Sequence, residues 1–498
     1  MRILLVNPEF PETYWSFRHA LPFEGRRSLF PPLGLMTVSS LLPNSWERRL
    51  VDLNVCTLKD SDIKWADMVF VTGMLSQKKS LHQVVRRSKG LGKKVVLGGP
   101  YVTSTIEDLP DADHLFLGEA ETTIPQFVSD LALGTEKRSY KAPERPPLSL
   151  TPCPDFGLVD FKNYSAMSIQ YSRGCPFSCE FCDIIEIYGR VPRTKSNQQV
   201  LAELDALLAL GWRGLLFIVD DNFIGNKKNV RQLMPHLAEW QRKHGYPFSF
   251  LTEASVNLAD DEDLLRQMQG AGFRRVFLGI ETPVEESLKE AQKSQNRGNL
   301  LNSVKRIQSY GIEVMAGFIV GFDNDPADIF ERQIKFIRES AIPMAMVGLL
   351  NALPDTQLWK RLEREGRLLG EDASGNNTVC TVNFVTKMDV QTLIAGYQSI
   401  MCTIYKPREY YQRALDSMKR TSHVAPESLN YSFMKAVTAF TRVAVKLGVI
   451  DSGRGEFWRF FLKSFREHRN RMPELLRLAA LGYHFRKLNE SFGIPLEV

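Results

Sequence analysis

The chain has 498 residues, 44% of them apolar and 24% charged, with a formal net charge of +6. That balance implies about two to four globular domains with real cores and excludes a disordered chain. No uncharged apolar run reaches the roughly 18 residues a membrane helix needs, the longest candidate being 341–354, so no transmembrane helix is expected. The opening residues read as a strand and turn rather than a signal peptide, which places the chain in the cytoplasm, where thiols stay reduced. Seven cysteines, an odd number, do not suit a disulfide scaffold.

Residues 1–135 alternate short apolar runs (3–6, 50–51, 68–71, 95–97, 115–117) with amphipathic stretches such as 33–42 and 81–91. This alternation predicts an α/β domain, a doubly wound, Rossmann-like parallel sheet. Several runs end in small or polar loops: Asn7-Pro8, Gly73-Met74-Leu75-Ser76-Gln77, Gly98-Gly99-Pro100 and Gly118-Glu119-Ala120-Glu121. The carboxyl ends of such strands form the ligand crevice, and glycines let a bulky ligand approach the backbone. Residues 136–165 carry five prolines between Pro143 and Pro154 and read as a linker.

From 166 to 365 strand and helix repeat again. Strands are predicted at 167–171, 214–219, 248–252, 275–278, 314–319 and 346–350, with helices at 198–210, 230–244, 262–271, 299–310 and 327–340. Six such units suggest an incomplete (β/α)6 barrel. Residues 366–498 lack strand periodicity and are expected to be helical. Residues 401–498 hold 17 Lys and Arg against 9 Asp and Glu.

Cys56, Cys153, Cys380 and Cys402 stand alone and read as buried small hydrophobes. Cys175, Cys179 and Cys182 fall within eight residues, directly after the first predicted barrel strand, where active sites of such barrels sit. A structural zinc site wants four protein ligands, and no fourth Cys or His follows closely. Three thiolates on a 4Fe–4S cluster leave one iron open to a substrate.

The segment from Ser172 to Cys182, with Phe181 before the third cysteine, resembles the signature of radical S-adenosylmethionine enzymes. The resemblance implies that S-adenosylmethionine chelates the open iron and is cleaved to a 5′-deoxyadenosyl radical. It assigns the methionine amino group to Asp220 and Asp221, and further cofactor contacts to Glu253 and Glu281. Lys293 and Ser294 would meet the methionine carboxylate, and Ile319, on the strand 317–322, would flank adenine. The preceding domain resembles the cobalamin-binding half of cobalamin-dependent members. There Gly73, Met74, Leu75, Ser76, Gln77, Gly98, Gly99, Pro100, Gly118 and Glu119 would line the corrin. The Asp-x-His-x-x-Gly motif that places a His below cobalt is missing. His19, His82 and His114 lack its context, so cobalt without a His ligand is expected, with Met74–Gln77 nearest its lower face.

End to end, the chain resembles the cobalamin-dependent radical methylases of the hopanoid 2-methylase type. That resemblance implies methyl transfer from methylcobalamin to an unactivated carbon of an apolar, lipid-like substrate. Cyclisation, ring contraction or oxidation without methyl transfer is the alternative. An electron donor such as flavodoxin or ferredoxin is expected, and nucleic acid is not. The basic and aromatic run Phe457–Arg466 reads either as the outside of a helical cap or as a surface for peripheral membrane contact.

Overall fold

A computed structural model describes residues 1–105, 109–370, 375–376, 380–422 and 433–491. The first sheet contains β1 (Arg2–Asn7), β2 (Glu47–Asp52), β3 (Met68–Thr72), β4 (Lys94–Gly98), β5 (His114–Leu117) and β6 (Ser139–Lys141). All its pairs are parallel and the order is β2-β1-β3-β4-β5-β6. Its strands read as near-continuous apolar runs because both faces are covered. Leu4, Val6, Val69 and Val71 enter one core, and Ile3, Leu5, Met68 and Phe70 enter the other. The strand order reverses between β1 and β3, which is the switch point where such sheets bind ligands.

The stretch predicted as a free linker contributes β6. Tyr140 alone supplies its apolar anchor, stacked on Phe116 with centroids 5.1 Å apart. The rest of 136–165 forms three short 3-10 turns, at Leu148–Leu150, Phe156–Leu158 and Phe161–Asn163, and no helix.

The second sheet holds β7 (Met167–Ile169), β10 (Gly214–Ile218), β11 (Phe248–Ala254), β12 (Phe273–Glu281), β13 (Glu313–Val320) and β14 (Ala345–Leu349). Its order is β14-β13-β12-β11-β10-β7, again all parallel, so each strand lies beside its neighbour in sequence. This is the expected six-unit partial barrel. A two-stranded ribbon, β8 (Ser172–Arg173) with β9 (Arg193–Thr194), brackets the cysteine segment. Helices Asn197–Ala209, Lys227–Lys243, Glu262–Ala271, Leu300–Ser309 and Ile329–Ser340 cover the outside. The first four start on side-chain caps, as where Ser196 Oγ accepts from the Gln199 N–H at 3.2 Å.

Six strands leave the barrel open between β7 and β14. Residues 14–30, expected to stay with the first domain, close that opening instead. On one side the Ala166 N–H donates to Leu29 O at 2.9 Å, just before β7. On the other, the Tyr14 hydroxyl donates to Val347 O of β14 at 2.9 Å. Residues beyond the barrel are helical, at Val390–Ile404, Pro407–Arg420, Phe433–Val445, Arg454–Glu467 and Met472–Ser491. Tyr397 and Phe485 from these helices pack around Tyr14 and Phe17. Among the described residues no helix is long and apolar enough to cross a membrane.

Candidate active site

The cysteine segment leaves the carboxyl end of the first barrel strand through Gly174, whose φ is +96° and whose added Cβ would lie 2.8 Å from Gly189 O. Only glycine fits that close approach. The three cysteines are free. The Cys175 N–H donates to Gly189 O at 3.2 Å and the Cys182 N–H to Cys179 O at 3.1 Å. The Asn222 amide reaches Cys175 Sγ at 3.9 Å, and the Gln295 amide donates to Cys179 Sγ at 3.4 Å. Burial pushes the Cys175 and Cys182 thiols up. Thiolates in this setting need a cation to be stable, and the iron of a cluster supplies one, so the donor set fits. Among the described residues no three His, Cys, Asp or Glu side chains converge as around a single ion. A cubane takes each thiolate on a different iron and requires no such convergence.

Two carboxylates at the end of β10 hold this segment. Asp220 accepts from the Tyr171 N–H at 2.7 Å and from the Ser172 hydroxyl at 2.6 Å. Asp221 accepts from the Gly174 N–H at 2.9 Å. Burial pushes the Asp220 carboxyl up to about 7 and that of Asp221 up to about 6. The sequence reading gave both to S-adenosylmethionine. The structure commits both Asp220 oxygens to the chain itself. From the opposite side, Glu180 receives Arg361 at 2.6 Å, and Arg361 also meets Asp323 at 3.1 Å.

β12 carries a bulge between Gly279 and Glu281, and Glu281 sits at φ +62°, a strained value for a residue other than glycine. The bulge turns the Glu281 carboxylate onto the Lys293 ammonium, 2.6 Å away. A side chain at Gly279 would strike both groups. The Lys293 ammonium lies 5.7 Å from the centre of the Phe181 ring. Burial works against its charge, but Glu281 and the nearby cysteine sulfurs hold its pKa above the usual lysine range. Phe181 and Ile319 pack on one apolar cluster. Ser294 is exposed and lines, with Lys289, Gln292 and Arg297, an outer cleft of about 1040 Å³. Glu253, half-buried at the end of β11, is pushed up to about 8 by burial and then by Asp221 and Asp220.

In the first domain, Met74 is 53% exposed at the switch point. Leu75 and Ser76 are half-buried and sit beside Gly375. Gln77 was read as a ligand contact, but it is buried and caps its own turn. Its amide donates to Pro8 O at 2.6 Å, and its carbonyl accepts from the Met74 N–H at 2.9 Å. Gly73 packs against Leu81 and Gly98 against Phe116. Gly99, at φ +100°, has no room for a Cβ beside Thr72, and Pro100 starts the short helix Pro100–Ser104. Gly118, at φ +84°, is different: an added Cβ would meet nothing within 4 Å. Bare backbone facing open space is what a large planar cofactor requires.

Glu119 departs most from expectation. Its carboxylate faces Arg173 and Arg193, each at 2.6 Å, while Glu121 takes the other side of Arg173 at 2.8 Å. All four are largely buried. The Gly118 turn and the cysteine segment are therefore tied directly together. His82 bonds the Tyr101 hydroxyl at 2.9 Å, His114 bonds Lys137 O at 2.7 Å, and His19 pairs with Glu12 at 2.8 Å. Asn222, Gln295 and Arg173 were not singled out from sequence. Arg173 stands within the Ser172–Cys182 segment and Asn222 next to Asp221, but only tertiary contact reveals their partners.

Residues 169–337 match the Radical SAM superfamily, and residues 356–493 match a Domain of unknown function (DUF4070). An uncharacterized methyltransferase of Synechocystis sp. is 41% identical over 494 residues, covering 98% of this chain and 92% of the relative. The Hopanoid C-2 methylase of Rhodopseudomonas palustris is 36% identical over 495 residues, covering 97% and 92%. OxsB, a cobalamin-dependent S-adenosylmethionine radical enzyme solved with aqua-cobalamin and S-adenosylmethionine, shares the fold. Its TM-score is 0.62 at 17% identity, covering 99% of this chain and 80% of OxsB. The methyltransferase TsrM from Kitasatospora setae gives a TM-score of 0.57 at 14% identity, covering 73% and 78%. The chain belongs to the radical S-adenosylmethionine superfamily, among the methyltransferases that include the Hopanoid C-2 methylase.

Proposed function

We propose that the chain is a cobalamin-dependent radical C-methyltransferase acting on an apolar, lipid-like substrate of the hopanoid kind. One observation carries this reading: the Gly118 turn, open to a large cofactor, and the cysteine segment are locked to each other through Glu119, Glu121, Arg173 and Arg193. When bound, the 4Fe–4S cluster with S-adenosylmethionine supplies a 5′-deoxyadenosyl radical, and methylcobalamin supplies the methyl group.

The chain's own residues position and protect that chemistry. Cys175, Cys179 and Cys182 hold the cluster, and Asn222 and Gln295 keep two of the sulfurs hydrogen-bonded. Asp220 and Asp221 fix the segment from behind. Lys293, aimed by Glu281, brings positive charge to the methionine carboxylate, and Phe181 with Ile319 offers an apolar slot to adenine. Gly118 lets the corrin lie against bare backbone. Residues 14–30 seal the open side of the barrel against water.

The substrate is drawn from a membrane. Val449, Ile450 and Leu462 are each more than 60% exposed on the basic carboxyl-terminal helices, a combination suited to an anionic bilayer surface. An electron donor of the flavodoxin or ferredoxin class completes the cytoplasmic system. The test is anaerobic reconstitution with iron, sulfide and cobalamin, followed by addition of S-adenosylmethionine, a reductant and a hopanoid acceptor. The substrate should gain the mass of one methylene, with release of 5′-deoxyadenosine. Release of the nucleoside with no mass gain on any hopanoid would end the hopanoid reading, and no mass gain on any acceptor would end the methyltransferase reading.

A further inference from the structure

The segment that closes the barrel is anchored more firmly than a plug requires. Tyr14 and Phe17 are 3% and 5% exposed. Tyr14 is bonded to Val347 O of β14, and Phe17 packs on His484 and Phe485 at 5.3 and 6.2 Å between ring centres. Between these two anchors Trp15 is only half-buried. Its ring lies parallel to that of Phe217 (β10) at 6.2 Å and tilted against Phe277 (β12) at 5.5 Å, while Phe30 meets Phe217 at 5.1 Å.

These rings face the barrel interior. Along β10, β12 and β13 the residues Ile218, Leu278 and Ala316 are wholly buried toward the helices. Val219, Phe277, Gly279, Gly317 and Ile319, which alternate with them, are half-buried. A complete eight-stranded barrel fills its interior with side chains. Here these five inward positions keep accessible surface, so space remains beside them, bordered by the Phe277 ring and, toward the strand ends, by the Glu281–Lys293 pair. Rigid aromatic faces held from behind around such a space suit an apolar ring system.

We propose that Trp15, backed by Phe30, Phe217 and Phe277, is the wall against which the substrate's apolar rings are packed, and that Trp15 decides which ring systems fit. This rests on the apolar-substrate reading above and adds the residue that selects. The measurement is equilibrium binding of a radiolabelled saturated pentacyclic triterpene, carried in neutral detergent micelles, to the full-length chain without cofactors. Trp15→Ala should weaken binding about tenfold or more, and Trp15→Phe by about threefold or less, with unchanged thermal unfolding. If Trp15→Ala binds as tightly as the unaltered chain, the wall is wrong and the apolar reading survives. If the unaltered chain binds no triterpene yet methylates a polar acceptor, the apolar reading fails and takes the wall with it. Should Trp15→Ala unfold, Phe277→Leu decides: weakened binding supports the wall, and unchanged binding overturns it.

Discussion

The two sheets match in size and parallel pairing and differ in how they end. Both have six strands. The first reverses its strand order beside β1, and most of its carboxyl-end side chains are consumed internally: Gln77 by Pro8, Glu119 by two arginines. What it leaves open is the Met74 loop and, at Gly118, bare backbone. The second runs in sequence order and carries charged side chains at its carboxyl ends: Asp220, Asp221, Glu253, Glu281 and, after it, Lys293. One sheet is built to be lain upon and the other to grip. A corrin needs area, whereas a cluster and a sulfonium nucleotide need placed ligands and charges.

That contrast is broken most severely at the gripping end. Cys175→Ala, Cys179→Ala and Cys182→Ala should each lose cluster iron and all 5′-deoxyadenosine release while retaining bound cobalamin. Iron analysis and nucleoside assay check this; full activity in any one variant removes that cysteine from the ligand set. Next comes the link between the ends. Arg173→Met strands the Glu121 carboxylate in a buried setting and leaves Glu119 to Arg193 alone, a cost of about 3–5 kcal/mol. Denaturant unfolding of the cofactor-free chain measures it, and a loss below about 1 kcal/mol would mean the two halves are held elsewhere.

The lain-upon end is sharpened by two glycines. Gly99→Val meets both a left-handed backbone and the Thr72 side chain, so the domain itself should suffer, by several kcal/mol or about 3 at least. Gly118→Val adds backbone strain of about 1–3 kcal/mol and nothing else within 4 Å. It should fold, keep its cluster and fail to retain cobalamin. Retention equal to that of the unaltered chain would move the corrin away from Gly118.

What sequence could show was local. Apolar alternation located all six barrel strands, and the cysteine spacing with Phe181 marked the segment that leaves the first of them, because both depend on neighbours in the chain. β6 escaped because three residues with one apolar anchor leave no period to detect. Glu119 was misread for a different reason. A strand-end acid beside glycine looks alike whether it meets a ligand or an arginine 54 residues away. Trp15 and Gln295 were silent for the same reason: their partners lie hundreds of positions from them in one case and 116 in the other.

The smallest expected effect concerns Glu253, and it separates the gripping sheet's charges from one another. Its carboxyl is pushed up to about 8 from an ordinary 4.5, first by burial, then by Asp221 and Asp220, with Lys293 pulling the other way and Glu281 adding to the rise. The folded chain therefore keeps a proton that the unfolded chain has already released. Stability contributed by this group is complete below about pH 4.5 and drains away as pH rises toward 8, where the ionised group becomes a burden. Glu253→Gln keeps the neutral shape and removes the titration. Near pH 8 the cofactor-free variant should be more stable than the unaltered chain by about 1–2 kcal/mol, discounted for partial contact with water, and near pH 5 the two should converge. Parallel melting curves would refute this, because they would mean that Glu253 is already ionised at pH 5 and that Lys293, rather than the neighbouring aspartates, sets its charge.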